Sequence, residues 1–205
     1  MIAWSRIQGT ELAGEAFMRI ADNNCAYHNL IHVDEMYQYL QDTNEPYDEA
    51  LDWAVLFHDI VYDKHPEKEA RSAGMFYDMQ KEYRGFASDY MDLIRVGVLI
   101  NYTIDHRISS FSTPAQRAIV RADLHALTDK VRTTQNFVKI MNESMELHGC
   151  TIEEFADNNI KFLTGLNQRV AVNSTIEIQH KQFYIDVTKG IDLTIRLAQA
   201  IKDVK

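Results

Sequence analysis

Apolar residues recur at helical spacing along most of the chain. In residues 11–21, Leu12, Ala16 and Ile20 follow one another at intervals of four, which places them on one face of a helix. Similar spacing predicts further helices over residues 30–40, 48–62, 67–83, 89–105, 114–124, 130–147, 151–163 and 174–201. The segment 48–62 is apolar nearly all round, as expected of a helix in the middle of a bundle. The pattern therefore predicts an all-α protein.

Composition and capping residues support this prediction. The 205 residues include only 8 glycines and 3 prolines, whereas strand-rich folds need many tight turns. Ser112 or Thr113 is expected to cap the helix that opens at Pro114, and Thr151 with Glu154 resembles a capping box. No repeat or linker interrupts the chain, so we predict a single helical domain over residues 1–205.

Charge and cysteine content narrow the class of partner. The formal net charge is −9 and no dense run of Lys and Arg occurs, which disfavours long nucleic acid as a ligand. No stretch approaches the roughly 18 apolar residues of a membrane span, and we expect no membrane partner. The two cysteines form no CxxC pair, so free thiols in the cytoplasm are the simpler expectation.

A His–Asp dipeptide near the end of the most apolar predicted helix is the first candidate for chemistry. His58 and Asp59 lie there, and an ionised carboxylate in apolar surroundings is costly without a partner. A divalent cation is a partner that satisfies a carboxylate and an imidazole together. Asp123 lies inside a second apolar run, residues 118–127, and its carboxylate likewise needs a partner.

Two further histidines extend this set. His28 and His32 are four residues apart, and on a continuous helix they would project from one face. The candidate metal ligands are His32, His58, Asp59 and Asp123. A mixed set of imidazole and carboxylate ligands suits Mn²⁺, Fe²⁺, Co²⁺, Ni²⁺ or Zn²⁺ without selecting one of them, and Mg²⁺ is also allowed.

The order of these residues resembles the H…HD…D signature of the HD-domain superfamily of metal-dependent phosphohydrolases. The resemblance extends to the segments around the signature, which look like a branch of predicted HD phosphohydrolases: residues 27–32 (YHNLIH), 56–63 (LFHDIVYD), 69–73 (EARSA) and 121–124 (RADL). It covers about residues 20–130, whereas the C-terminal helices, at about 130–205, carry no matching motif.

The resemblance implies a compact bundle of five or more helices around a mononuclear or dinuclear metal site with the four ligands named above. Its further matching positions are His28, Asp63, Glu69 and His106. Asp63 is expected to orient the attacking water as a general base, and Glu69 to hold a ligated water. His28 and His106 are each expected to contact the substrate phosphate or a second metal.

Two cations near the His–Asp pair in sequence complete the expected site. Lys64 and Arg71 are the nearest basic residues able to receive a phosphate. The alternative is ordinary surface charge, with Glu69 paired to one of them and Asp63 a loop acid. Tyr27, Tyr62 and Tyr102 are positioned to stack on a base or, as aromatics more commonly do, to fill the core.

These observations lead to the hypothesis of a metal-dependent hydrolase of a small phosphate ester or anhydride, with a nucleotide as the expected substrate. Three substrates compete. A 5′-nucleotidase would cleave nucleoside monophosphates, and a triphosphohydrolase would need more cations than the sequence offers near the site. A (p)ppGpp hydrolase would carry an acidic pair soon after the His–Asp, whereas this chain has Val61, Tyr62 and Asp63. One alternative is a non-catalytic HD protein that keeps a structural metal and binds a partner. A second is a di-iron HD-like oxygenase, which would need His28 and His106 as additional ligands. A homo-oligomer is compatible with each hypothesis.

Overall fold

The chain folds into helices joined by short connections. A computed structural model describes residues 7–45, 48–63, 65, 67–83 and 90–203. Within these ranges the helices are α1 (Glu11–Asp22), α2 (Leu30–Asp42), α3 (Glu49–Phe57), α4 (Lys68–Tyr83), α5 (Tyr90–Asp105), α6 (Pro114–Leu124), α7 (Lys130–His148), α8 (Ile152–Ile176) and α9 (Lys181–Asp203). Two 3₁₀ turns, His125–Thr128 and Ile178–His180, precede α7 and α9. The described part of the chain contains no strand, and the predicted all-α class is confirmed.

The chain divides into two compact units. The first comprises Met1–Ile104 and Thr113–Asp123, and the second comprises Asp105–Ser112 and Leu124–Lys205. The single domain predicted from the sequence stays a prediction. None of the described helices is long and apolar enough to cross a membrane.

Helix α3 lies at the centre of the first unit. Ala50 to Phe57 are all buried, as its all-round apolar pattern predicts, and α3 packs against both α2 and α4. Phe76 of α4 contacts the rings of Trp53 and Phe57, with ring centroids 6.2 and 5.1 Å apart. Asp48 caps the start of the helix by accepting a hydrogen bond from the Leu51 backbone N–H.

The sequence pattern placed the end of α3 too late. A helix was expected to continue to residue 62, but α3 ends at Phe57 and His58 is its C-cap. After this point, hydrogen bonds to other elements replace those of the helix. The Asn23 side chain donates to the Ile60 carbonyl, and the Val61 N–H donates to the Ser72 hydroxyl of α4. Apolar periodicity carries no information about such distant partners.

In the second unit, α8 and α9 pack along each other and α7 packs against both. Phe137 and Phe155 lie in its core, with ring centroids 5.6 Å apart. Gly190 allows α9 to approach the first 3₁₀ turn, because a Cβ at this position would lie 2.0 Å from the Leu127 carbonyl oxygen. Gly149 ends α7 in the left-handed conformation that favours glycine.

The predicted caps are confirmed, whereas two helix boundaries in the second unit are wrong. The last helix was expected to begin at residue 174, but α9 begins at Lys181. The Thr113 hydroxyl accepts from the Gln116 N–H, and the Thr151–Glu154 capping box is complete. The pattern predicted a break after residue 163, but α8 continues to Ile176. Leu166 and Val170, in the interval without a predicted helix, are buried and extend its core face.

Candidate metal centre

The first unit brings three potential metal ligands together. His32 lies in the first turn of α2, and His58 with Asp59 directly follows α3. One ligand atom from each of these residues lies within 4.8 Å of the other two. Both histidines are buried, and the side chain of Asp59 is only 13% exposed.

Asp123 lies beside this group at the end of α6. Its Oδ1 is 3.2 Å from His32 Nε2 and 4.0 Å from His58 Nε2. Helix α6 is fixed to the segment after α2 by an ion pair between Arg121 and Glu45, in which the arginine is almost fully buried. This ion pair holds α6 at the position from which Asp123 reaches His32.

The His58 ring is oriented by the main chain. His58 Nδ1–H donates to the Val55 carbonyl over 2.8 Å, which directs Nε2 towards the carboxylates. Histidine ligands in metalloproteins are usually held in this way, because a hydrogen bond on one ring nitrogen selects the tautomer whose other nitrogen coordinates. His58 Nε2 lies 3.0 Å from Asp59 Oδ2.

The hydrogen bonding and the spacing of the buried imidazole nitrogens indicate whether a cation fits the cluster. Among the described residues, His58 Nε2 and both ring nitrogens of His32 have no hydrogen-bond partner. Buried polar atoms are rarely left in this state. Ligand atoms about 2.1 Å from a common ion lie about 3.0–3.4 Å apart, and the His58–Asp59 and His32–Asp123 contacts match this spacing. His32, His58 and Asp59 therefore fit a divalent cation, and Asp123 Oδ1 lies within 4.0 Å of both histidines.

The pKa shifts of His58 and Asp59 in the metal-free cluster show that a positive charge is favoured there. Burial by itself lowers the pKa of His58, but the carboxylates of Asp59 and Asp123 and the Val55 carbonyl together raise this pKa to about 9. Burial likewise opposes ionisation of Asp59, yet His58, His28 and Lys68 hold the pKa of Asp59 well below its usual range. A proton on His58 thus neutralises part of the cluster when no metal is bound.

His28 is next to the cluster but not on the same helix as His32. Asn29 caps α2, in agreement with the predicted start of this helix, and His28 belongs to the preceding turn. The Asn29 side chain donates to the carbonyls of Cys25 and Ala26, which fixes this turn. His28 Nε2 lies 3.9 Å from Asp59 Oδ2.

The aromatic residues near the cluster support its histidines. The His28 ring stacks on Tyr62 with centroids 3.9 Å apart, and Tyr27 contacts both His28 and His32. Stacking of a substrate base on Tyr62 or Tyr27 was one sequence-based interpretation. Both rings are instead engaged by protein side chains, which makes them supports for the histidines.

The predicted catalytic carboxylates differ in their surroundings. Asp63 is 44% exposed and accepts hydrogen bonds from the Arg71 guanidinium, at 2.5 Å, and from the His65 N–H. These two donors lower the pKa of Asp63. Glu69 is half-buried and makes no hydrogen bond or ion pair with any described residue. The sequence left open a surface ion pair of Glu69 with Arg71 or Lys64. In the structure, Arg71 pairs with Asp63.

Two predicted phosphate-contacting residues are not among the described residues of the first unit. Lys64 lies outside the described residues. His106 belongs to the second unit, where it is buried with φ of +51°. Asn173 fixes this segment by donating to the His106 carbonyl and accepting from the Ile108 N–H. The proposed role of His106 stays a prediction.

Sequence reasoning missed Lys68, the first residue of α4. Its ammonium lies 3.7 Å from the centroid of the Tyr62 ring, and its charge contributes to the lowered pKa of Asp59. Its offset of nine residues from Asp59 carried no signal in the sequence, because α3 ends at Phe57 and helical spacing does not continue past Asp59.

Comparison of the chain with protein-family models, curated proteins and solved structures found no match. The resemblance to HD-domain phosphohydrolases thus rests on the sequence motifs.

Proposed function

We propose that the chain is a metal-dependent phosphohydrolase of the HD-domain type, which acts on a small phosphate ester or anhydride, with a nucleotide as the expected substrate. The observation that carries this proposal is the buried group of His32, His58 and Asp59 with Asp123 beside it. Its unpartnered imidazole nitrogens face carboxylate oxygens, a combination that calls for a cation.

A divalent ion held by these four residues would supply a Lewis acid and a water that is nucleophilic near neutral pH. Hydrolysis forms a bond from the water oxygen to phosphorus and breaks the bond from phosphorus to the leaving oxygen. His28, half-buried beside Asp59, is placed to give a proton to the leaving oxygen. Glu69 has no partner among the described residues and is our candidate for accepting the proton of the water.

Phosphate release from nucleoside mono-, di- and triphosphates tests the proposal directly. Metal-stripped protein receives Mn²⁺, Co²⁺, Ni²⁺, Zn²⁺ or Mg²⁺, and the Asp59→Ala variant is assayed beside the wild type. The matched control is Asp192→Ala, which removes an exposed carboxylate of α9 in the second unit. We expect metal-dependent turnover in the wild type and in Asp192→Ala, and none in Asp59→Ala.

Two other results would replace the proposal. Stoichiometric metal without turnover of any phosphate ester would favour a structural metal in a partner-binding protein. Two irons per chain, with oxygen consumption in place of phosphate release, would favour the oxygenase alternative.

A further inference from the structure

Tyr62 contacts the His28 imidazole and the Lys68 ammonium at the edge of the candidate metal centre. Its ring stacks on His28 at 3.9 Å with an interplanar angle of 20°, and the Lys68 ammonium lies 3.7 Å from its centroid. A cation over an aromatic face is attracted by the ring quadrupole, so this contact restrains the long lysine side chain. His28 and Lys68 are thus held by one ring.

Lys68 differs from the other described cation nearby, Arg71. The Arg71 guanidinium is bound to Asp63, and both side chains are close to half exposed. Lys68 makes no hydrogen bond or ion pair with any described residue, so its three N–H donors remain for another partner. An ammonium that is restrained but not ion-paired is suited to bind an anion.

We infer that Lys68, held by Tyr62, forms a subsite for the phosphoryl group of the substrate beside the metal centre. The inference rests on the proposed function and gives it a substrate class. One ammonium matches the charge of a single terminal phosphate better than that of a triphosphate chain. A nucleoside monophosphate or another small phosphomonoester is therefore the expected ligand, and Lys68 is a substrate-binding residue.

Inorganic phosphate is a suitable probe, because it carries the recognised group alone. In protein loaded with Co²⁺ or Mn²⁺, broadening of the ³¹P resonance reports both the affinity and the proximity of phosphate to the metal. We expect Lys68→Met to weaken phosphate binding about tenfold, the loss typical of one hydrogen bond to a charged group. Lys68→Arg should restore most of the affinity.

Controls separate binding from folding. Lys81→Met removes an exposed lysine of the same helix, one that pairs with Asp78 at 3.1 Å, and should leave phosphate affinity unchanged. Tyr62→Phe keeps the ring and should retain affinity, whereas Tyr62→Leu should lower it as far as Lys68→Met does. Circular dichroism and metal content establish that each variant is folded and loaded.

The results distinguish two kinds of failure. If wild-type protein binds no metal, the proposed function fails and this inference fails with it. If metal binds but phosphate affinity is the same in Lys68→Met, or phosphate does not approach the metal, only the subsite is overturned. Equal affinity in Tyr62→Leu and wild type would contradict the supporting role of the ring.

Discussion

His125 in the second unit and the histidines of the cluster in the first unit are all buried, but their imidazoles face different groups. In the second unit, His125 Nε2 lies 2.9 Å from the Arg132 guanidinium. A guanidinium only donates, so this nitrogen accepts with its lone pair and the imidazole is neutral. In the first unit, His32 and His58 direct Nε2 towards the oxygens of Asp123 and Asp59, which are acceptors as well.

The contrast shows that the two imidazoles place different demands on their surroundings. A lone pair that faces a donor needs nothing further. His58 already donates from Nδ1 to the Val55 carbonyl, so its Nε2 interacts favourably with Asp59 only if it carries a second proton or coordinates a cation. In the metal-free protein a proton serves this purpose. Under the proposed function, a divalent ion would replace it. A buried histidine is therefore informative only together with the group that it faces.

The largest difference between the two units should appear when one buried histidine in each is replaced by leucine. His58→Leu removes a ligand, and we expect at least a hundredfold loss of metal affinity, beyond that seen when only an orienting partner of a ligand is removed. His125→Leu leaves Arg132 without this partner, so the free energy of unfolding should fall by about 1–2 kcal/mol while metal content is unchanged. Metal analysis after dialysis and urea unfolding measure the two effects.

The same two variants also define the result that would contradict the metal centre. Equal metal content in His58→Leu and His125→Leu would remove the cluster from consideration as a metal centre. The HD-type resemblance would then have no support in the chemistry of the folded chain.

The pH dependence of stability should change sign when metal is added. In the metal-free protein the pKa of His58 is raised from 6.5 to about 9, so its contribution is complete below pH 6.5 and is lost as pH rises through 9. The shift corresponds to about 3 kcal/mol at most. Asp59, whose pKa is lowered, contributes above its ordinary pKa. Without metal, stability should therefore fall between pH 6.5 and 9.

With saturating metal the opposite trend is expected over the same range, because the ion competes with the proton on His58 and binds more tightly as pH rises. Urea unfolding at several pH values, with chelator or with metal, measures both slopes. His58→Leu should flatten them. A metal-free slope that persists unchanged in this variant would show that another group titrates.

The sequence predicted most helices and the identity of the clustered residues, and the reasons are physical. Core faces repeat every three or four residues, so α1 was visible as periodic apolar positions, whereas α3 was visible as a segment that is apolar nearly all round. His58, Asp59 and Asp123 were conspicuous as polar residues in apolar runs. Such signals are local, and a single sequence contains them in full.

What the sequence did not reveal depends on contacts between distant segments. The end of α3 is fixed by Asn23 and Ser72, and neither is near it in the chain. The engagement of Asp63 with Arg71 and the place of Lys68 over Tyr62 depend on the turn that joins α3 to α4. The roles of Lys64 and Arg71 were assigned from their distance in sequence alone, so they had the least support among the predicted roles.

The smallest effects should come from Asp63 and Arg71, which contrast with the buried Asp59 four residues before. Both side chains are more than 40% exposed, and exposed ion pairs contribute little to stability. Asp63→Asn and Arg71→Gln should each change the free energy of unfolding by less than about 1 kcal/mol and leave metal content unchanged. Asp59→Asn should abolish metal binding.

Turnover by Asp63→Asn should fall less than tenfold, because Arg71 and the His65 N–H already engage its carboxylate. A fall of a hundredfold or more with metal retained would restore Asp63 to the general-base role that the sequence motif implies.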